Sequence, residues 1–215
     1  MKNDKCIVLD MDETMLHVLF EQRVKNSVKE LKKMNFFTDP LYYPIRDNIV
    51  RFNFRQFEGD NYVEEEMWAI TRPHLRDFLR FSFSYFNYVI IWSAGTYEYV
   101  NLAIRNIFKD LPLPHIIYTR DDCAEHVNSE YTKPLKKLYD LNRDIRPENT
   151  FILDDKTMSF INDPDNGILI PVYKPNPADI PHNRDDNLLK LMEWFSLPEV
   201  SQSSDVRKLD KRKIL

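Results

Sequence analysis

Cys6-Ile-Val-Leu-Asp10-Met-Asp12-Glu-Thr14-Met-Leu-His17 is the stretch whose reading decides the fold. Four residues suited to a buried strand run into two carboxylates spaced two apart, and then into a threonine. Residues i and i+2 of an extended strand point to the same side. The spacing therefore predicts that Asp10 and Asp12 aim together at one point just past the strand's carboxyl end. In open α/β sheets that end is where ligands bind. Unpaired carboxylates at the end of an apolar strand are costly, and a divalent cation is the natural compensation. A calcium loop beginning Asp10-x-Asp12-x-Thr14 places Glu21 at its twelfth position, but the glycine that loop needs at its sixth is here Met15.

Working outward, Phe20 to Met34 reads as a helix with Phe20, Val24, Val28 and Leu31 on one face. Pro40 and Pro44 punctuate an aromatic loop containing Phe36, Phe37, Tyr42 and Tyr43. Val50, Phe52 and Phe54 then alternate with Arg51, Asn53 and Arg55. After Glu58-Gly59-Asp60-Asn61, the run from Tyr62 to Ile70 completes a hairpin. Arg72-Pro73-His74 opens a helix, with proline in its first turn and Leu75, Phe78, Leu79 and Phe83 on its core face.

Beyond it the pattern alternates. Apolar runs at 88–92, 115–118, 150–154 and 168–173 read as strands, and helices are expected at 97–108, 133–141 and 185–195. Short continuous apolar runs between helices predict a doubly wound parallel sheet. The expected architecture is α/β and Rossmann-like, with a small hairpin-and-helix insertion at about 20–70 and no large cap. Residues 1–198 form one domain in this reading, and 199–215 a flexible polar and basic tail.

The chain has 215 residues, 43% of them hydrophobic, enough to bury a substantial core. A net charge of -4 gives no global basic field for gripping nucleic acid. Cys6 and Cys123 make one possible pair, and Cys6 falls inside a core strand, so a reducing, intracellular setting in nucleus or cytoplasm is expected. The first apolar run is broken at Asp10, too early for a signal segment, and no stretch approaches a membrane span. Three glycines, at 59, 95 and 167, cannot assemble a glycine-rich phosphate loop.

Three predicted strand ends carry polar groups: Asp10 and Asp12, Ser93, and Asp154 with Asp155. In a parallel sheet all three lie on one edge. Carboxylates from two strands make a hard oxygen site of the kind Mg2+ prefers. A hydroxyl at a strand-to-helix turn binds phosphate together with free helix amides, although Ser93 taken alone reads more simply as an N-cap. Lys133 supplies positive charge. An acid nucleophile, a magnesium site, a hydroxyl and a lysine are the parts phosphoryl transfer needs.

In this order the motifs resemble the haloacid dehalogenase superfamily. Within it, Leu9-Asp-Met-Asp-Glu-Thr-Met-Leu-His17, Arg72-Pro-His-Leu75, Trp92-Ser-Ala-Gly-Thr-Tyr-Glu-Tyr99, Tyr131-Thr-Lys-Pro-Leu135 and Phe151-Ile-Leu-Asp-Asp155 resemble the FCP/SCP, NLI-interacting-factor-like phosphatases of the RNA polymerase II C-terminal domain. The resemblance runs from about residue 5 to 197. It implies that Asp10 is a nucleophile forming an aspartyl-phosphate and that Asp12 is the general acid and base, with its backbone carbonyl on magnesium. It further implies that Thr14 steadies the motif's turn at the phosphate site, that Ser93 and Lys133 hold the phosphate, and that Asp155 ligates the metal with Asp154 in support. Arg120 resembles an arginine the family uses near the substrate phosphate.

The implied substrate is a phosphoserine or phosphothreonine protein. The alternatives are a small-molecule, lipid or nucleic-acid-end phosphate, or an inactive protein-binding module of the same fold. Ser93 stands where threonine is more usual, Gly95-Thr96 replaces a different small-residue pair, and the 20–70 stretch is longer than the small phosphatases need. His17 is expected to orient the loop after the first motif. His74 and His126 are expected to make structural hydrogen bonds.

Overall fold

In the computed structural model, residues 3–20, 40, 46–58, 61–125, 130–175, 184–212 and 214–215 are described. A five-stranded parallel sheet is built from β1 (Cys6–Leu9), β5 (Tyr88–Trp92), β6 (Ile116–Tyr118), β9 (Thr150–Asp154) and β10 (Gly167–Leu169), in the order β10-β9-β1-β5-β6. From β1 the chain first builds outward through β5 and β6, then returns to add β9 and β10 on the other side. The order therefore reverses between β1 and β9, where Asp10 and Asp154 stand. Ligands of doubly wound sheets bind at such a switch point.

The strands are apolar throughout because both faces are covered. On β1, Ile7 and Leu9 enter one buried cluster with Phe78, Phe86, Ile91, Phe151 and Phe195. Cys6 and Val8 enter the opposite one, with Ile90, Trp92, Leu135 and Ile152. The first cluster is covered by α1 (Leu75–Tyr85), α2 (Tyr97–Ile107) and α4 (Asn187–Ser196). The second lies under α3 (Lys136–Leu141) and the turn at Thr157–Phe160. The core face expected for α1, Leu75, Phe78, Leu79 and Phe83, is buried as a set.

An antiparallel sheet of order β2-β4-β3 forms from β2 (Leu16–Phe20), β3 (Ile49–Glu58) and β4 (Asn61–Thr71). The hairpin is thus present, and Met67, Trp68 and Phe52 are core residues. Phe20, expected to begin a helix, instead ends β2 opposite Met67. The rest of the expected 20–34 helix, and the aromatic loop apart from Pro40, lie outside the described residues, as does His126. A short pair, β7 (Ala124–Glu125) with β8 (Tyr131–Thr132), precedes α3.

Four further expectations about the fold need correction. Pro73 lies before α1, whose cap is His74 in a left-handed conformation (φ 64°) without a side-chain bond. Lys133 does not begin α3, because Pro134 disfavours a helical conformation at the residue before it. The strand expected at 168–173 stops at Leu169, since Pro171 has no amide to continue a ladder. The stretch expected to be a flexible tail packs: Val200, Val206 and Ile214 are buried in the first cluster. The buried Lys5 ammonium (2% exposed) also donates to the carbonyls of Ser201 and Ser203, at 3.1 and 3.0 Å. A short α5 (Pro198–Ser201) and the turn at Val206–Lys208 lie in that segment. Its charges mark a surface, but its spaced aliphatics bind it to the core.

Candidate active site

Asp10 follows the last residue of β1, and its amide donates to the Leu153 carbonyl of β9 at 3.0 Å. Asp154 ends β9. Two adjacent parallel strands thereby deliver two buried carboxylates side by side. Lys133 lies between them, its Nζ donating to Asp10 Oδ1 at 2.5 Å and to Asp154 Oδ2 at 2.7 Å. The remaining Asp154 oxygen, Oδ1, accepts from the Lys156 amide at 2.9 Å. The Lys133 backbone is fixed as well, its amide donating to the Ser159 carbonyl at 2.7 Å.

Asp155 completes an acidic group. One carboxylate oxygen each of Asp10, Asp154 and Asp155 lie within 4.8 Å of one another, the only such group of three metal-ligating side chains among the described residues. Three carboxylates face one ammonium, so negative charge is in excess. Burial, assisted by Asp154, pushes Asp10 up to about 7 against the pull of Lys133. Burial and Asp154 also raise Asp155. Burial opposes the charge on Lys133, but Asp10 and Asp154 together outweigh it and hold the ammonium above its ordinary range. Hard oxygens carrying unbalanced charge suit a magnesium-sized cation, which would draw the carboxylates back to their ionised forms.

The expectation that Asp10 and Asp12 aim at one point does not hold. β1 ends at Leu9, and Glu13 adopts a left-handed conformation (φ 61°), so strand alternation no longer sets direction at Asp12. The Asp12 carboxylate lies outside the acidic group and turns toward α2. It accepts from the Tyr99 hydroxyl at Oδ1 and from Ser93 Oγ at Oδ2, the latter at 3.4 Å. Burial raises Asp12, the Tyr99 bond offsets part of this, and nearby Glu13 adds to it. Burial and the Asp12 charge hold the Tyr99 phenol well above its ordinary value, so it stays a donor.

Ser93 follows β5, and its Oγ accepts from the Gly95 amide at 3.0 Å. It does not cap α2; Thr96 does, accepting from the Tyr99 amide at 3.5 Å. Arg120 is tied to the same loop, its amide donating to the Gly95 carbonyl and its Nε to the Ala94 carbonyl, both at 2.9 Å. Its exposed guanidinium lies 5.8 Å from the Tyr131 ring centroid. The structure thus brings Asp10, Lys133, Asp154 and Asp155 together, with Asp12 and Ser93 on the adjoining side and Arg120 at the rim.

Thr14 is fully buried, and its hydroxyl accepts from the Asp155 amide at 3.1 Å. It links the two acidic strand ends, in line with its expected role of steadying the turn. Two further residues hold this loop. His17 Nδ1 meets both Glu13 carboxylate oxygens at 2.9 Å, in line with its expected orienting role. Arg72, fully buried, donates to the carbonyls of Thr14 and Pro171, at 2.8 and 2.5 Å, and to Asp185 at 3.0 Å. Neither Arg72 nor Tyr99 received a role from the sequence. The Tyr99 signal was its place in the first turn of the helix that follows Ser93 and Gly95.

A profile of the NLI interacting factor-like phosphatase family matches residues 5–207. The chain belongs to this family. It is 21% identical to the ubiquitin-like domain-containing CTD phosphatase 1 of Xenopus tropicalis, over 98% of this chain and 68% of that protein. Against human carboxy-terminal domain RNA polymerase II polypeptide A small phosphatase 2 it is 25% identical, over 94% of this chain and 59% of the relative. Fcp1, an essential RNA polymerase II CTD phosphatase, has a similar fold, with a TM-score of 0.66 at 16% identity over 94% of this chain and 68% of that one. Fission yeast Fcp1-R271A bound to beryllium fluoride matches at a TM-score of 0.58, over 89% of this chain and 51% of the other. The chain therefore spans between half and about two thirds of the length of these proteins. Among its described residues no helix is long and apolar enough to cross a membrane.

Proposed function

We propose that this phosphatase-family chain is a magnesium-dependent phosphomonoesterase that works through an aspartyl-phosphate and acts on phosphoserine or phosphothreonine in a protein. The observation that carries this reading is the split of the acids. Asp10, Asp154 and Asp155 gather around Lys133, while Asp12 is held apart beside Ser93. Asp10 supplies the carboxylate oxygen that forms a new bond to phosphorus as the ester bond breaks. The departing oxygen keeps that electron pair and takes a proton from Asp12. Asp12, now a carboxylate, accepts a proton from the water that hydrolyses the intermediate and frees Asp10.

Ser93 and Lys133 hold the phosphate oxygens, and Arg120 reaches them from the rim. Asp10, Asp155 and the backbone carbonyl of Asp12 would hold Mg2+, with Asp154 in support. The ion would neutralise phosphate charge and keep Asp10 ionised. Beryllium fluoride, a phosphoryl-group analogue, is bound in one structural neighbour, which supports the same chemistry here. The relatives are named as phosphatases of a polymerase domain, which supports a protein substrate and an intracellular setting in nucleus or cytoplasm. The acidic net charge argues against nucleic acid as partner.

The test is phosphate release from a phosphoserine/phosphothreonine peptide panel beside sugar and lipid phosphates, with Mg2+ and with chelator. Magnesium-dependent turnover favouring peptides is expected. A preference for a sugar or lipid phosphate would replace the substrate assignment. Failure of every substrate with Mg2+ present would leave the chain a binding module.

A further inference from the structure

We propose that Tyr99 is the positioning residue for Asp12: its hydroxyl keeps that carboxylate turned toward the leaving group and away from the acidic metal group. This rests on the reading above that Asp12 is the general acid. Asp12 has two places to go. One is the side occupied by Tyr99 and Ser93, the other the group of Asp10, Asp154 and Asp155 around the positively charged Lys133. Drawn to the second, it would bind the cation or Lys133 and could not follow the departing oxygen.

Ser93 alone is a weak restraint, its contact with Asp12 being 3.4 Å long, near the limit of a hydrogen bond. The Tyr99 hydroxyl donates the other hydrogen bond to Asp12, and the residue that carries it is fixed in place. Its backbone amide is held by the Thr96 cap, its side chain is 8% exposed, and its ring lies against Gly95. A Cβ at Gly95 would stand 2.5 Å from Tyr99 Cδ1, 3.0 Å from Cε1 and 3.2 Å from Ser93 Oγ, so any other residue displaces the ring first and crowds the serine as well. Gly95 has no positive φ to explain its presence; the close approach of this ring does. The Gly95-Thr96 pair thereby becomes the seat of Tyr99.

The decisive property is dependence on the leaving group. Protonation by Asp12 matters for a poor leaving oxygen and little for an acidic phenol. The experiment compares kcat/KM for phenyl phosphate and 4-nitrophenyl phosphate in wild type, Asp12→Asn, Tyr99→Phe, Gly95→Ala and the double variant Tyr99→Phe/Asp12→Asn. Loss of general-acid catalysis costs about 100-fold or more, so Asp12→Asn should lose at least that on phenyl phosphate and far less on the nitrophenyl ester. Tyr99→Phe is expected to lose about 10- to 100-fold on phenyl phosphate, less than complete loss of the general acid, with a much smaller change on the nitrophenyl ester.

Gly95→Ala keeps the hydroxyl but moves the ring and crowds Ser93 Oγ, so it should lose more on phenyl phosphate than on the nitrophenyl ester on top of a loss common to both; that difference carries the test if Tyr99→Phe does not fold by circular dichroism. In the double variant, Tyr99→Phe should add no further loss to Asp12→Asn. Equal losses on both esters, no loss on either, or multiplying losses in the double variant would overturn the role of Tyr99. A flat response of Asp12→Asn itself would instead remove Asp12 as the acid, and the inference with it.

Discussion

Lys133→Met is the substitution with the largest consequence for both stability and chemistry. It keeps the apolar stem but removes an ammonium that is 3% exposed and lies 2.5 Å from Asp10 and 2.7 Å from Asp154. At an effective dielectric near 20 each contact is worth roughly 6 kcal/mol of Coulomb attraction before desolvation. Much of this only offsets the cost of burying the three charges. What the substitution exposes is the residue: two carboxylates left buried and facing each other, which costs about 3–5 kcal/mol. For a chain of this size each kcal/mol moves the melting point by about 2–4 °C, so a fall of about 6–20 °C is expected in chelator.

A divalent cation is another source of positive charge that suits the acidic group. Mg2+ at 100 times its dissociation constant stabilises a protein by about 2.7 kcal/mol, so it should restore a sizeable part of the loss. Differential scanning calorimetry of wild type and variant, in chelator and in Mg2+, reads both effects. A variant melting within a degree or two of wild type in chelator, with no larger response to Mg2+, would refute the view that Lys133 neutralises a buried acidic site.

Other expectations follow from single contacts. Thr14→Val keeps shape but leaves the Asp155 amide without its acceptor. It should cost about 1–3 kcal/mol and weaken Mg2+ binding by calorimetric titration, with Thr14→Ser close to wild type. Deleting residues 205–215 removes buried Val206 and Ile214 and should lower stability by about 3–6 kcal/mol in urea unfolding, at roughly 1.5–3 kcal/mol per buried side chain. A flexible tail would leave the midpoint unchanged. The two free cysteines should react slowly with a thiol reagent, because burial raises both and pushes Cys6 up to about 12. Half-buried Cys123 should be labelled first by mass spectrometry, and Cys6 only on unfolding.

The parallel strands were legible because each is buried on both faces and so reads as an unbroken apolar run; 88–92 and 150–154 coincide with β5 and β9 residue for residue. Strand ends were legible as places for Asp10, Ser93 and Asp154, since a parallel sheet leaves one edge for all of them. The direction of Asp12 was not. It is set by where β1 stops and by the left-handed Glu13, which His17 holds from four residues away and whose carbonyl accepts from the amide of Tyr173, a residue far outside any local pattern. Arg72 escaped for a similar reason, since two of its acceptors are backbone carbonyls, at Thr14 and Pro171, and its carboxylate partner Asp185 lies 113 residues away. The tail misled because its serines and clustered basic residues read as solvent-facing, while its fold depends on the spaced Val206 and Ile214.

The central claim is that Asp10 takes the phosphoryl group. It is tested most directly by rapid acid quench during turnover of a labelled phosphomonoester with Mg2+, followed by peptide mapping. The account predicts one hydroxylamine-labile phosphate on the peptide containing Asp10, formed and lost at rates that match turnover, and absent in Asp10→Asn. Turnover without such a label, label on another residue, or an Asp10→Asn protein as active as wild type would contradict it.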